Sequence, residues 1–171
     1  MYCFLGVDKL DLINYMKKIF NQLQGGWQFE RVLRENVSLV SLGTAKGIAN
    51  FKPHHNTLSY KEEGILINSD HALLKVHKEY LYYYLENQDL IEKHTAHNEN
   101  STGVMYTLKF DEAENFQSLY ATGLHICKND LYEAIYHFDT ENFNKFKLVY
   151  RVKGPNKNYI SETSYERIAL N

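Results

Sequence analysis

The apolar positions change their period early in the chain. From Asp8 to Gln24, Leu10, Leu12, Ile13, Met16, Ile19, Phe20 and Leu23 recur at steps of three and four, the spacing of one face of an amphipathic helix. Gly25 and Gly26 follow and end it. From Trp27 the period is two: Trp27, Phe29, Arg31 and Leu33 share one side of a predicted strand, and Gln28, Glu30, Val32 and Arg34 the other. Further alternating segments, bounded by Gly, Asn, Asp or Pro, run roughly over 45–53, 57–66, 73–85, 89–96, 104–110, 117–127, 131–139, 145–153 and 158–169.

No helical period separates these segments, so they predict an antiparallel meander of about eight to ten strands, which closes into a barrel because closure removes exposed edges. The expected architecture is all-β: a single domain over residues 1–171, with a helix at 8–24 leading into a barrel over 26–170. The polar stretches around 86–89 and 97–102 are expected hairpin loops. Fourteen tyrosines, nine phenylalanines and one tryptophan against two prolines favour strands. A chain of 171 residues that is 44% hydrophobic supports one substantial core.

A formal charge of -2 and a pI near 6.4 offer no basic field for nucleic acid or an anionic membrane. No apolar run approaches the roughly 20 residues of a spanning helix, and MYCFLGVDKLD lacks the basic head of a secretory signal, so a cytoplasmic location is expected. Cys3 and Cys127 read as free thiols.

Several alternating faces carry chemistry. An inward Arg31 demands a partner. In LSYKEEG, Leu58, Tyr60 and Glu62 share a side, which makes Glu62 the expected one. In HKEYLYYYLEN, Lys78, Tyr80, Tyr82 and Tyr84 share a face, each ring offering apolar area and one hydroxyl. In GLHICKNDLYEAIYHF, Gly123, His125 and Cys127 fall together before the turn, and Tyr132, Ala134, Tyr136 and Phe138 after it. Asp130 in that turn is expected to accept backbone N–H bonds, and Cys127 reads as a small buried wall residue. Lys157, Tyr159, Ser161, Thr163, Tyr165 and Arg167 alternate along the last segment, on a face that is either lumen or exterior. Lys145, Lys147, Arg151 and Lys153 form a basic face opposite Phe146, Leu148, Tyr150 and Val152. The histidines have no metal-ligand spacing, and neither a nucleophile elbow nor a phosphate loop occurs, so no metal or cofactor is expected.

Two resemblances rest on these residues. GGW placed directly after a helix resembles the first strand of lipocalins and the wider calycin group, in which an arginine near the C-terminus, here Arg167, packs across the tryptophan. Over nearly the whole chain, WQFER, GIANF, LSYKEEG, KEYLYYY, GLHICKNDLYEAIYHF and VKGPNKNYISETSYER resemble a family of small bacterial and fungal proteins known as a domain of unknown function. The H-x-C-x-x-D-x-Y and G-P-x-K-x-Y elements are its most specific parts. Lys78 stands where that resemblance implies arginine, and Tyr82 where it implies tryptophan. The resemblance implies a lipocalin-like barrel and supplies no activity.

The leading expectation is a binding module. Arg31, Tyr60, Glu62, Tyr80, Tyr82, His125, Tyr132, Tyr136, Tyr159, Tyr165 and Arg167 would line a lumen holding a small, partly apolar ligand with an anionic or carbonyl group. A second reading is an isomerase or lyase using His125 or Glu62 as acid or base, with Arg31 or Arg167 stabilising an oxyanion. A third is an interaction protein that meets its partner through the basic strand at 145–153.

Overall fold

Among the described residues, one helix and eleven strands make up the fold. Helix α1 (Lys9–Gln22) precedes β1 (Gly25–Glu35), β2 (Ser41–His54), β3 (Thr57–Asn68) and β4 (Leu73–Leu85). Then come β5 (Leu90–Thr95), β6 (Val104–Thr107) and β7 (Lys109–Phe110), followed by β8 (Ser118–Cys127), β9 (Asp130–Asp139), β10 (Lys145–Gly154) and β11 (Lys157–Arg167). The computed structural model describes residues 9–88, 90–96, 103–111 and 118–169, with backbone only for 9–12. The expected loop at 97–102, Cys3, Leu170 and the side chains of Leu10 and Leu12 lie outside the described residues.

All pairings are antiparallel, and the strand order is β6-β5-β4-β3-β2-β1-β11-β10-β9-β8-β7. The first and last strands meet, with Trp27 opposite Arg167 and Arg31 opposite Thr163. The expected 104–110 strand is divided at Leu108: its N–H donates to Ile91 O at 2.8 Å in the register of the β5–β6 ladder, and beyond it β7 pairs with β8 instead. The remaining seam lies between β6 and β8. Side chains close it: His125 Nδ1 donates to Met105 O at 3.1 Å, and the Tyr106 ring lies so close over Gly123 that a Cβ there would overlap it.

Helix α1 plugs one end of the barrel. Ile19, Phe20 and Leu23 are buried there, and the Phe20 ring meets Tyr84 at 5.6 Å. The helix has no basic residue in its own last turn, so its terminal carbonyls take donors from the barrel. Trp27 Nε1 donates to Leu23 O at 2.9 Å, and Arg167 donates to Gln24 O at 2.7 Å and to Gln22 O. The Arg167 guanidinium lies 4.2 Å from the Trp27 ring centroid. From this end to mid-barrel the interior is solid, filled by rings such as Phe29, Phe51, Phe138 and Phe146, with Tyr165 stacked on Phe146 at 4.3 Å.

Candidate functional site

The other half of the barrel is hollow. A cavity of about 470 Å³ opens at the end opposite α1. Leu33, Leu66, Val76, Met105 and Val152 give it apolar walls, while Tyr80, Tyr132, Tyr150 and Tyr159 add rings with hydroxyls. The turn between β1 and β2 at this end exposes Val37, Leu39 and Val40.

A charged layer separates this hollow from the solid core. Arg31 Nη1 and Nη2 donate to the two Glu62 oxygens at 2.7 and 2.8 Å, and Arg31 Nε donates to Thr163 Oγ1 at 2.8 Å. Strand β2 lies between their strands, with Arg31 opposite Ala45 and Glu62 opposite Ala49. Both alanines are buried, and their short side chains leave room for the two charged groups to meet over the strand. Tyr60 also donates to Glu62 and lies 3.0 Å from the Tyr165 hydroxyl. Burial pushes the Glu62 carboxyl up, but the Arg31 hydrogen bonds and the Lys78 and Arg31 charges prevail and hold it at about 2. Glu62 is therefore ionised near neutral pH and acts as the counter-ion of this layer.

Lys78 is the surplus cation of the layer. Its Nζ lies 3.6 Å from Glu62 Oε1, an oxygen already taken by Arg31. The side chain is 39% exposed and lines the cavity. Enclosure by the walls, reinforced by the Arg31 charge, lowers the Lys78 ammonium from its ordinary value. Glu62 thus serves two cations, and the cavity floor has one positive charge more than it has carboxylates.

A second lysine is sealed behind the wall. Lys93 is 1% exposed, lies opposite Tyr82 and Tyr106 in the ladders, and has its Nζ 3.8 Å from the Tyr80 ring centroid. Nζ donates to Tyr150 OH at 2.8 Å. From there a hydroxyl chain runs through Tyr106 at 2.6 Å, Tyr136 at 2.9 Å and Tyr82 at 3.0 Å. Burial holds these phenols above their ordinary range, so they stay protonated, and burial with the Lys78 charge holds the Lys93 amine well below its own. Sequence reasoning missed this group, although Ile91, Lys93 and Thr95 alternate in LIEKHT and place a lysine on an inward phase.

The two most specific sequence elements meet at the cavity mouth. Lys157 Nζ lies 2.7 Å from Asp130 Oδ2 and donates to Tyr132 OH at 2.7 Å. These contacts raise the Lys157 ammonium above its ordinary value. Asp130 therefore serves an ion pair, a role its place in the KND turn did not indicate. Gly154 makes room for it: a Cβ there would collide with Asp130 Oδ1. Cys127 is exposed at the mouth, not buried in the wall, because β8 ends there.

Of the residues expected along a lumen, Arg31, Tyr80, His125, Tyr132 and Tyr159 line the cavity. Tyr60, Glu62, Tyr82, Tyr136 and Tyr165 point inward but are buried in or beneath the floor. Arg167 lies at the helix end, outside the hollow, since β11 runs past the barrel wall to reach α1. On the basic outer face, Lys145 and Arg151 have carboxylates beside them, Glu166 at 3.2 Å and Glu133 at 3.5 Å.

The S-type phycobiliprotein lyase from Guillardia theta has the same fold, aligning at a TM-score of 0.62 over 96% of this chain and 100% of its own, with 6% identity. A de novo designed fluorescence-activating β-barrel aligns at 0.41 over 87% of this chain and 96% of its own, with 9% identity. No curated protein matches by sequence. Residues 23–167, from the end of α1 to Arg167, match the family of unknown function DUF6314, and the chain belongs to that family.

Proposed function

We propose that this protein binds a small, partly apolar molecule in the open half of its barrel, with an anionic or carbonyl end directed at Lys78. One observation carries the reading: Lys78 faces the cavity while the carboxylate beside it is already committed to Arg31. An enclosed surplus cation favours an anion or a polarised carbonyl oxygen as its partner. The volume of about 470 Å³ and the aliphatic walls suit a drug-sized apolar body.

Titration with 8-anilinonaphthalene-1-sulfonate, an apolar body with an anionic end, tests this. Saturable binding at one site per chain is expected. Lys78→Met should weaken it about tenfold, or about 1.4 kcal/mol, and Leu66→Trp should abolish it by filling the hollow. Alkylation of Cys127 at the mouth should slow when the site is occupied. Binding that ignores both substitutions would overturn the reading.

A further inference from the structure

Among the described residues the barrel encloses two lysines, and only one of them meets open space. Lys93 is walled off behind the Tyr80 ring, whereas Lys78 reaches the cavity. We propose that Lys78 is a nucleophile that captures apolar aldehydes or ketones in the cavity as an imine. This rests on the proposed binding function and narrows its ligand class to carbonyl compounds.

Three features of the surroundings support it. A lysine amine becomes nucleophilic once it loses its proton, which enclosure and a neighbouring cation both promote. Lys78 has both, in the cavity walls and in Arg31, which shares Glu62 with it. The nearby Glu62 carboxylate favours the ammonium, but its oxygens are shared with Arg31 and Tyr60, and enclosure together with the Arg31 charge outweighs it. Finally, aliphatic walls concentrate a hydrophobic carbonyl compound next to the amine.

The step balances without an oxidant or reductant. The ammonium loses one proton to solvent, and the Nζ lone pair attacks the carbonyl carbon to give a carbinolamine. The former carbonyl oxygen leaves as water, and the C=N bond forms between Nζ and the ligand carbon. When protonated, the imine nitrogen keeps the positive charge that Lys78 places 3.6 Å from Glu62 Oε1, so the floor returns to its original charge.

The full chain is incubated with decanal and sodium cyanoborohydride near neutral pH, and adducts are located by intact mass and peptide mapping. A single adduct on the Lys78 peptide is expected, forming roughly ten-fold faster than labelling of exposed lysines. Lys78→Arg keeps the charge and should lose the adduct while its thermal unfolding stays close to wild type. Leu66→Trp, which leaves Lys78 in place, should suppress the adduct by blocking access. Labelling spread over surface lysines, or a rate indifferent to both substitutions, overturns the proposal. Anilinonaphthalene sulfonate binding measured on the same samples separates two failures. A site that binds the dye but forms no adduct refutes imine capture alone, and a site that does neither refutes the binding function too.

Discussion

Arg31 and Glu62 pair end-on across an intervening strand, at 2.7 and 2.8 Å, in a layer where each side chain is nearly closed to solvent. Removing one partner strands the other. Glu62→Gln leaves Arg31 and Lys78 facing each other without a counter-charge and should cost about 3 to 5 kcal/mol in urea unfolding followed by Trp27 fluorescence. Replacing both Arg31 and Glu62 by methionine should recover much of that loss, because no buried charge of the pair is then left alone.

The pH dependence of this layer has a definite sign. The Glu62 carboxyl is held at about 2 against an ordinary 4.5, so the folded state binds its proton less readily than the unfolded chain. The resulting stabilisation, on the order of 3 kcal/mol, is intact above about pH 4.5 and is lost as pH falls towards 2. Unfolding free energies across this window should fall steeply for wild type and lack that component in Glu62→Gln.

Lys93 reverses the sign. Its amine is held well below 10.5 in the folded barrel, so below that pH the unfolded chain takes up a proton that the folded one refuses. Lys93→Met keeps the volume and removes this drain, and Tyr150 retains its hydrogen bond to Tyr106. The variant should melt about 2 to 4 °C higher at pH 7, a gain of about 1 kcal/mol or more. That gain should shrink as pH rises towards 10.5, when the unfolded lysine also loses its proton.

Much of this arrangement was legible in the sequence. The shift from a period of three and four to a period of two located α1 and β1, and the phase of Trp27 and Phe29 carried Arg31 inward. A charged residue on an inward phase needs a partner, and Glu62 had the matching phase in LSYKEEG. Alternation assigns a side chain to a face, however, and says nothing of its height along the barrel. Tyr82 and Tyr136 therefore read as lumen residues although they fill the solid half, and Arg167 shared their phase while lying beyond the wall. The break at Leu108 marks a change of partner, from β5 before it to β8 after it, which no local pattern encodes.

The contact between Gly154 and Asp130 predicts a coupled pair. Gly154→Ala should cost about 1 to 3 kcal/mol, because its Cβ would enter the space held by the Asp130 carboxylate. Asp130→Ala frees that space and also releases Lys157. In that background Gly154→Ala should be much milder, with a coupling of about 0.5 to 3 kcal/mol in a double-mutant cycle. Equal costs in both backgrounds would mean that the carboxylate is not the obstruction.

Arg167 ties α1 to the barrel and should behave as a cap at a distance. Its guanidinium gives donors to carbonyls at the helix C-terminus and lies over the Trp27 ring, where a cation also suits the negative end of the helix dipole. Arg167→Ala removes all of these contacts together and should destabilise the fold by about 2 to 4 kcal/mol. Trp27 emission should shift to the red as water reaches the indole, and limited proteolysis should cut first within α1. Arg167→Lys should restore less than half of the loss, since one ammonium cannot lie flat on the ring and reach separate carbonyls in a fixed fork. Full rescue by lysine would show that charge alone, and not the planar geometry, holds the helix in place.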